Sequence, residues 1–170
     1  MKTYLLGPTP AWSFIDSDNY RRSSSISGTI QTRDRFTTNP RGTVGHGQAA
    51  IDIDASADDV WAVIGDFGGI GSWMPGIESC RVEGDDRILV TMGMEITERL
   101  VSKDDAARVL TYSITNGAPV ETHQGVITVT PTGATSHVTW DVDATPDEMA
   151  EVMASIYQQA LEALKAKVGG

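Results

Sequence analysis

Three polar side chains fall on stretches otherwise built from alternating apolar residues. Between them they hold the groups of general acid-base chemistry: the Glu98 carboxylate, the Tyr112 phenol and the His123 imidazole. A desolvated carboxylate is a stronger base than one in water, and a phenol or imidazole can donate to a developing enolate oxygen. Glu98, His123 and Tyr112 are therefore the candidate catalytic residues. Each also has a purely structural explanation. Glu98 could pair with a buried cation, His123 could be a satisfied core histidine, and Tyr112 could be ordinary core lining. No Lys or Arg shares the inward set read from these strands, which favours a polar role in a cavity for Glu98.

The elements that must position these groups can be read from periodicity. Ala49 to Ile53 alternates as a strand; Ser56 then stands as a helix N-cap, with Asp58 and Asp59 in the first turn and Val60, Trp61 and Ile64 on the apolar side. Gly65, Gly68, Gly69, Gly71 and Pro75 leave room for only a second short helix, near Phe67 to Trp73. Six strands are predicted next: Ile77 to Glu83, Ile88 to Met92, Met94 to Ser102, Val109 to Thr115, Glu121 to Thr130 and Thr135 to Asp143. Turn-forming residues separate them at Gly84-Asp85-Asp86, Asp104-Asp105, Asn116-Gly117 and Pro131-Thr132-Gly133. Pro146, behind Thr145, is placed in the first turn of a long final helix with the stripe Met149, Val152, Met153, Ile156, Ala160, Ala163 and Leu164.

This order specifies an α+β fold: a seven-stranded curved antiparallel sheet around a long C-terminal helix, with two short helices after the first strand. One helix is narrower than seven strands, so the uncovered remainder is expected to enclose a cavity. Alternation sends Met94, Ile96, Glu98 and Leu100 inward, then Leu110, Tyr112 and Ile114, then Glu121, His123, Gly125, Ile127 and Val129, and finally Val138, Trp140 and Val142. If the hairpins pair inward residues with inward residues, Glu98 lies opposite Tyr112, Tyr112 opposite His123, and Gly125 opposite Trp140, whose indole would fill the missing side chain's place. A bulge in any of these strands would undo that row. The expected ligand-binding set is Trp73, Met92, Met94, Ile96, Glu98, Tyr112, Ile114, His123, Gly125 and Trp140, joined by Met149, Met153, Ile156 and Tyr157 from the long helix. Methionines suit a cavity that adapts to an apolar ligand.

Composition narrows the partners. Of 170 residues, 13 are basic and 23 acidic, a net charge of -10. The first 46 residues hold six basic and three acidic residues; the remaining stretch, with seven against twenty, would repel nucleic acid and anionic headgroups. Residues 1–46, broken by Pro8, Pro10, Ser23-Ser24-Ser25, Pro40 and glycines, read as a loosely ordered extension, and 47–170 as the ligand-binding domain. The Arg- and Ser-rich part of the extension faintly resembles an organellar transit peptide; an upstream-start extension or an added leader explains it as well. A single cysteine, Cys80, points to a reducing, cytoplasmic setting. No apolar run fits a stable membrane span. His46 and His137 lie away from His123, so no metal cluster is expected, and no phosphate or dinucleotide motif calls for a cofactor.

The stretches Val60-Trp61-Ala62-Val63-Ile64-Gly65-Asp66-Phe67-Gly68-Gly69-Ile70 and Trp73-Met74-Pro75-Gly76-Ile77, with Ile96-Thr97-Glu98-Arg99-Leu100 and Leu110-Thr111-Tyr112-Ser113-Ile114, form a pattern. It resembles the bacterial polyketide cyclase/dehydrase-like branch of the SRPBCC (START and birch-pollen-allergen-like) superfamily, over about residues 48 to 168. The resemblance implies the helix-grip fold. The same pieces are similar to plant abscisic-acid receptors, in which the residue matching Glu98 lies in the ligand cavity. The receptors' His-Arg-Leu latch is absent, Ala118-Pro119-Val120 standing in that loop, so hormone reception does not carry over. Two functions follow from the resemblance: binding of a hydrophobic small molecule (polyketide-like, aromatic or lipid-like), or cofactor-free cyclase, dehydratase or isomerase chemistry with Glu98 as general base. Homodimerisation is left open.

Overall fold

The computed structural model describes residues 42–169; the expectations placed on residues 1–41 lie outside it. Strand β1 (Gly45–Ile53) is followed by helix α1 (Ala57–Ile64), a short 3-10 helix (Phe67–Ser72), strands β2 (Ile77–Glu83), β3 (Asp86–Thr91), β4 (Met94–Asp104), β5 (Val109–Asn116), β6 (Thr122–Thr132) and β7 (Thr135–Thr145), and helix α2 (Glu148–Val168). The strands form one antiparallel sheet in the order β1-β7-β6-β5-β4-β3-β2. Helix α2 packs across β1 and β7, and the 3-10 helix lies against β2.

Local chemistry accounts for the helix ends. Ser56 Oγ accepts the Asp59 N–H and caps α1. At α2 the reading of Pro146 as a first-turn residue is corrected: Asp147 is the N-cap, its carboxylate accepting the Glu148 N–H, and Pro146 stands before the cap, joined to Thr145 by a cis peptide. The buried stripe of α2 is Met149, Ala150, Met153, Tyr157, Ala160, Leu161 and Leu164, while Val152, Ile156 and Ala163 are only half-buried at its flank. A 21-residue helix across a curved sheet buries a stripe turned by about one residue from the one periodicity suggests, and this places Tyr157 in the middle of it.

The first strand begins at Gly45, earlier than alternation alone suggests, and includes His46, whose Nδ1 lies 2.9 Å from Asp143 on β7. Gly45 reads as part of the loosely ordered extension in the sequence, yet it and Gly47 serve close packing on β1. A Cβ on Gly45 would collide with the Asp147 backbone, and one on Gly47 would lie 2.5 Å from the Ala150 carbonyl. The opening turn of α2 therefore rests directly on this strand. Along β6 and β7 the alternation holds: His123, Gly125, Ile127 and Val129, and Ser136, Val138, Trp140, Val142 and Ala144, are buried. Glu121 precedes β6 and is exposed, its N–H donating to the Thr145 carbonyl, so it does not join the inward set.

Candidate functional site

The inward face of β3 carries a residue that the sequence reading left out. Its strand opens at Asp86, because Glu83 pairs with Asp86 across a two-residue turn; Arg87 then shares a face with Leu89. Arg87 is 3% exposed and stands directly opposite Glu98 on β4. Its Nε donates to Glu98 Oε2 at 2.6 Å and its Nη1 to the Phe67 carbonyl at 2.8 Å. The guanidinium lies over the Phe67 ring, 4.1 Å from its centroid, and 5.2 Å from that of Tyr112. Glu98 is thus inward and buried as expected, but it belongs to a buried ion pair. The reading of Glu98 as general base rested on the lack of an inward cation, and Arg87 removes that ground. A strand read from Ile88 starts two residues late and omits Arg87; the two-residue turn at Gly84-Asp85 is the sequence signal that brings Arg87 into the strand.

The neighbouring strands carry the rest of the site. Tyr112 on β5, His123 on β6, Trp140 on β7 and Tyr157 on α2 are all buried and joined by hydrogen bonds. Trp140 Nε1 donates to the Tyr112 oxygen (3.1 Å), the Tyr112 hydroxyl lies 2.9 Å from that of Tyr157, and His123 Nε2 lies 3.1 Å from the Tyr157 oxygen. His123 Nδ1 accepts the backbone N–H of Ile114 at 3.1 Å, which puts the proton of a neutral ring on Nε2, toward Tyr157. Burial lowers the His123 pKa to about 4, so the ring is neutral near pH 7. Burial also raises both phenol pKa values well above the ordinary range, and the two hydroxyls keep their protons.

Aromatic contacts lock this group. Trp140 and Tyr157 stack with centroids 4.0 Å apart and planes 5° from parallel. Trp73 leans on Trp140 at 5.9 Å, and Tyr112 meets Trp140 edge-on at 6.3 Å.

All three expected cross-strand partnerships shift by two residues. Glu98 faces Ile114, Tyr112 faces both Leu100 and Gly125, and Gly125 faces Val142 while Trp140 faces Ile127. Between β4 and β5 the turn spans residues 105–108 and the register slips at Thr97/Glu98 and Leu100/Ser102, the β5–β6 connection spans residues 117–121, and β6 and β7 close through the two-residue turn Gly133-Ala134, further along the chain than the sequence suggests. Because a two-residue slip preserves the face, every inward residue stays inward while its neighbours change. Ile114, not Tyr112, stands between Glu98 and His123. The space at Gly125 is filled by the Tyr112 ring, since a Cβ there would lie 2.5 Å from Tyr112 Cε1, and not by the Trp140 indole.

Of the expected ligand-binding residues, Trp73, Glu98, Tyr112, His123, Trp140, Met149, Met153 and Tyr157 are buried, with Gly125 among them on β6. Ile96, Ile114 and Ile156 are half-buried. Met92 and Met94 are not inside: they are 43% and 40% exposed at the β3–β4 hairpin tip, where Met92 (φ 52°) and Gly93 (φ 72°) form the two-residue turn. Alternation places Met94 on the inward face, but the strand end carries it past the packed interior.

A family model described as polyketide cyclase/dehydrase and lipid transport matches residues 45–169. A Bacillus cereus protein of known structure, XoxI, is 34% identical over 73% of this chain and 95% of its own, with a TM-score of 0.69. The Zhui aromatase/cyclase of a Streptomyces species is 22% identical over 74% of this chain and 94% of its own (TM-score 0.62), and a START superfamily protein of Mycobacterium smegmatis is 16% identical over 72% and 96% (TM-score 0.62). These last two likenesses establish the shared helix-grip fold. A search of curated proteins returned no match.

Proposed function

The chain belongs to the polyketide cyclase/dehydrase and lipid transport family, and on that premise we propose that it binds a hydrophobic small molecule between the sheet and α2. One observation carries the reading. Arg87, Glu98, Tyr112, His123 and Tyr157, drawn from β3, β4, β5, β6 and α2, gather on a single aromatic wall completed by Trp73 and Trp140. A core serving stability alone gains little from concentrating buried polar groups, because each must recover its desolvation cost. A few polar groups fixed within an apolar, aromatic surface are the usual makeup of a small-molecule site. Met149 and Met153, on the buried face of α2, add side chains that can adjust to ligand shape. A polyketide-like, aromatic or lipid-like occupant fits this lining, and the wall suits flat rings best. With Glu98 engaged by Arg87, the binding reading stands without a catalytic base.

Titration of the purified protein with the apolar fluorophore N-phenyl-1-naphthylamine, beside native mass spectrometry and organic extraction, tests the proposal. Saturable binding at one molecule per chain, or a co-purifying apolar compound released by extraction, is the expected result. Failure of both would overturn it.

A further inference from the structure

Asn116 is the one asparagine among the described residues, and a glycine follows it. That order matters chemically. A backbone nitrogen unhindered by its own side chain can reach the amide carbon of a preceding asparagine side chain, and glycine hinders that approach least. Asn19 and Asn39, elsewhere in the chain, precede Tyr20 and Pro40, the one bulky and the other without a backbone N–H. Asn116 and Gly117 are both exposed. Asn116 also closes β5, and its pairing there is one-sided. Its partner on β4 is Thr97, beside the irregularity at Thr97/Glu98, whereas the ladder with β6 ends well before it, at Tyr112 and Gly125. Extended backbone holds the Gly117 nitrogen away from the Asn116 side chain, so ring closure needs a local opening, and a strand end paired on one side opens at little cost. Glycine is itself demanded at this place. Gly117 has φ 90°, and a Cβ on it would collide with the Glu95 carbonyl and lie 2.9 Å from Ile96 Cα. Packing of the 117–121 connection on β4 thus keeps the reactive neighbour beside Asn116.

We propose that Asn116 is a site of spontaneous covalent modification, and that its product frees the end of β5 from β4. The Gly117 nitrogen attacks Asn116 Cγ. A C–N bond forms there as the bond to the side-chain nitrogen breaks, and that nitrogen leaves as ammonia with the proton from the Gly117 N–H. One water then opens the cyclic imide at either carbonyl, giving isoaspartate or aspartate, and nothing is oxidised or reduced. Isoaspartate carries the main chain through an extra methylene, so the peptide groups around it lose the alignment on which ladder hydrogen bonds to Thr97 depend. Either product also adds a negative charge opposite Thr97, on the face that Thr97 shares with Glu95.

The full chain, held in warm neutral buffer and sampled over weeks beside the same chain unfolded in guanidinium chloride, can be digested and sequenced by mass spectrometry. A gain of about 1 Da concentrated in the peptide holding Asn116, with isoaspartate the larger product, is expected at a rate within about tenfold of that in the unfolded chain. Product in the unfolded chain and none in the folded one overturns the proposal. Asn116→Gln, whose longer side chain would have to close a less favourable ring, should show no such gain and an unchanged melting temperature. An equal gain in that variant places the chemistry elsewhere and overturns the assignment. Hydrogen exchange across residues 95–97 and 116–121 should quicken about tenfold in the isoaspartate form and less in Asn116→Asp, which has the charge without the methylene. Exchange unchanged in the modified chain overturns the release of β5.

Discussion

At the scale of single residues the Arg87–Glu98 pair dominates the interior. Both side chains are almost wholly buried, and the 2.6 Å bond between them, with the Phe67 carbonyl on Nη1, offsets the cost of removing two charges from water. Glu98→Gln removes one charge and strands the other, so we expect a loss of about 3–5 kcal/mol, read from the midpoint of urea unfolding. The double variant Arg87→Met/Glu98→Leu exchanges the pair for apolar side chains and should recover most of that loss. If both variants are equally unstable, the pair is not compensated in the way its geometry implies. The inward position of Glu98 is legible from alternation on β4. Its partner is not, because Arg87 comes from another strand whose start depends on a hairpin turn.

At the scale of elements, β5 and β6 are fitted to each other by the absence of one side chain. The Tyr112 ring occupies the place of a Gly125 side chain, and hydrogen bonds to Trp140 and Tyr157 hold the ring there. A Cβ would lie 2.5 Å from Cε1 and 2.6 Å from Cζ, too close for adjustment by a ring fixed at both edges. Gly125→Ala should therefore cost about 1–3 kcal/mol by urea unfolding. Tyr112→Phe in that background should give no rescue, since the clashing ring carbons remain, whereas Tyr112→Leu should recover part of the loss. Full rescue by Tyr112→Phe would mean that the hydroxyl and not the ring is what Gly125 accommodates. Sequence marks Gly125 as an inward gap but assigns it to the wrong ring. The period of two in a strand fixes which face a residue takes, whereas the partner across the sheet depends on where each turn closes, here the 117–121 connection and the Gly133-Ala134 turn.

At the scale of the whole molecule, the closing of α2 over the sheet converts His123 into a pH-dependent contributor to stability. Enclosed beneath Tyr157, its pKa falls from 6.5 to about 4 because burial disfavours the charged ring. Between those values the unfolded chain binds a proton that the folded chain does not. The stabilisation is complete above about pH 6.5, declines as pH falls from there, and is exhausted near pH 4, a loss on the order of 3 kcal/mol. Urea unfolding at a series of pH values should show a shallower decline for His123→Gln than for the wild type across this window. Parallel profiles would exclude His123 as the source. Strand faces, the capped start of α1, the apolar helices and the polar character of the interior could all be read from order and periodicity, which are local properties of the chain. The pairing of Arg87 with Glu98, the junction of His123 with Tyr157 and the fit of Tyr112 against Gly125 were decided by tertiary structure. Each depends on which residues from distant parts of the chain meet once register and helix placement are set, and that is fixed by turns, bulges and packing together rather than by any one segment.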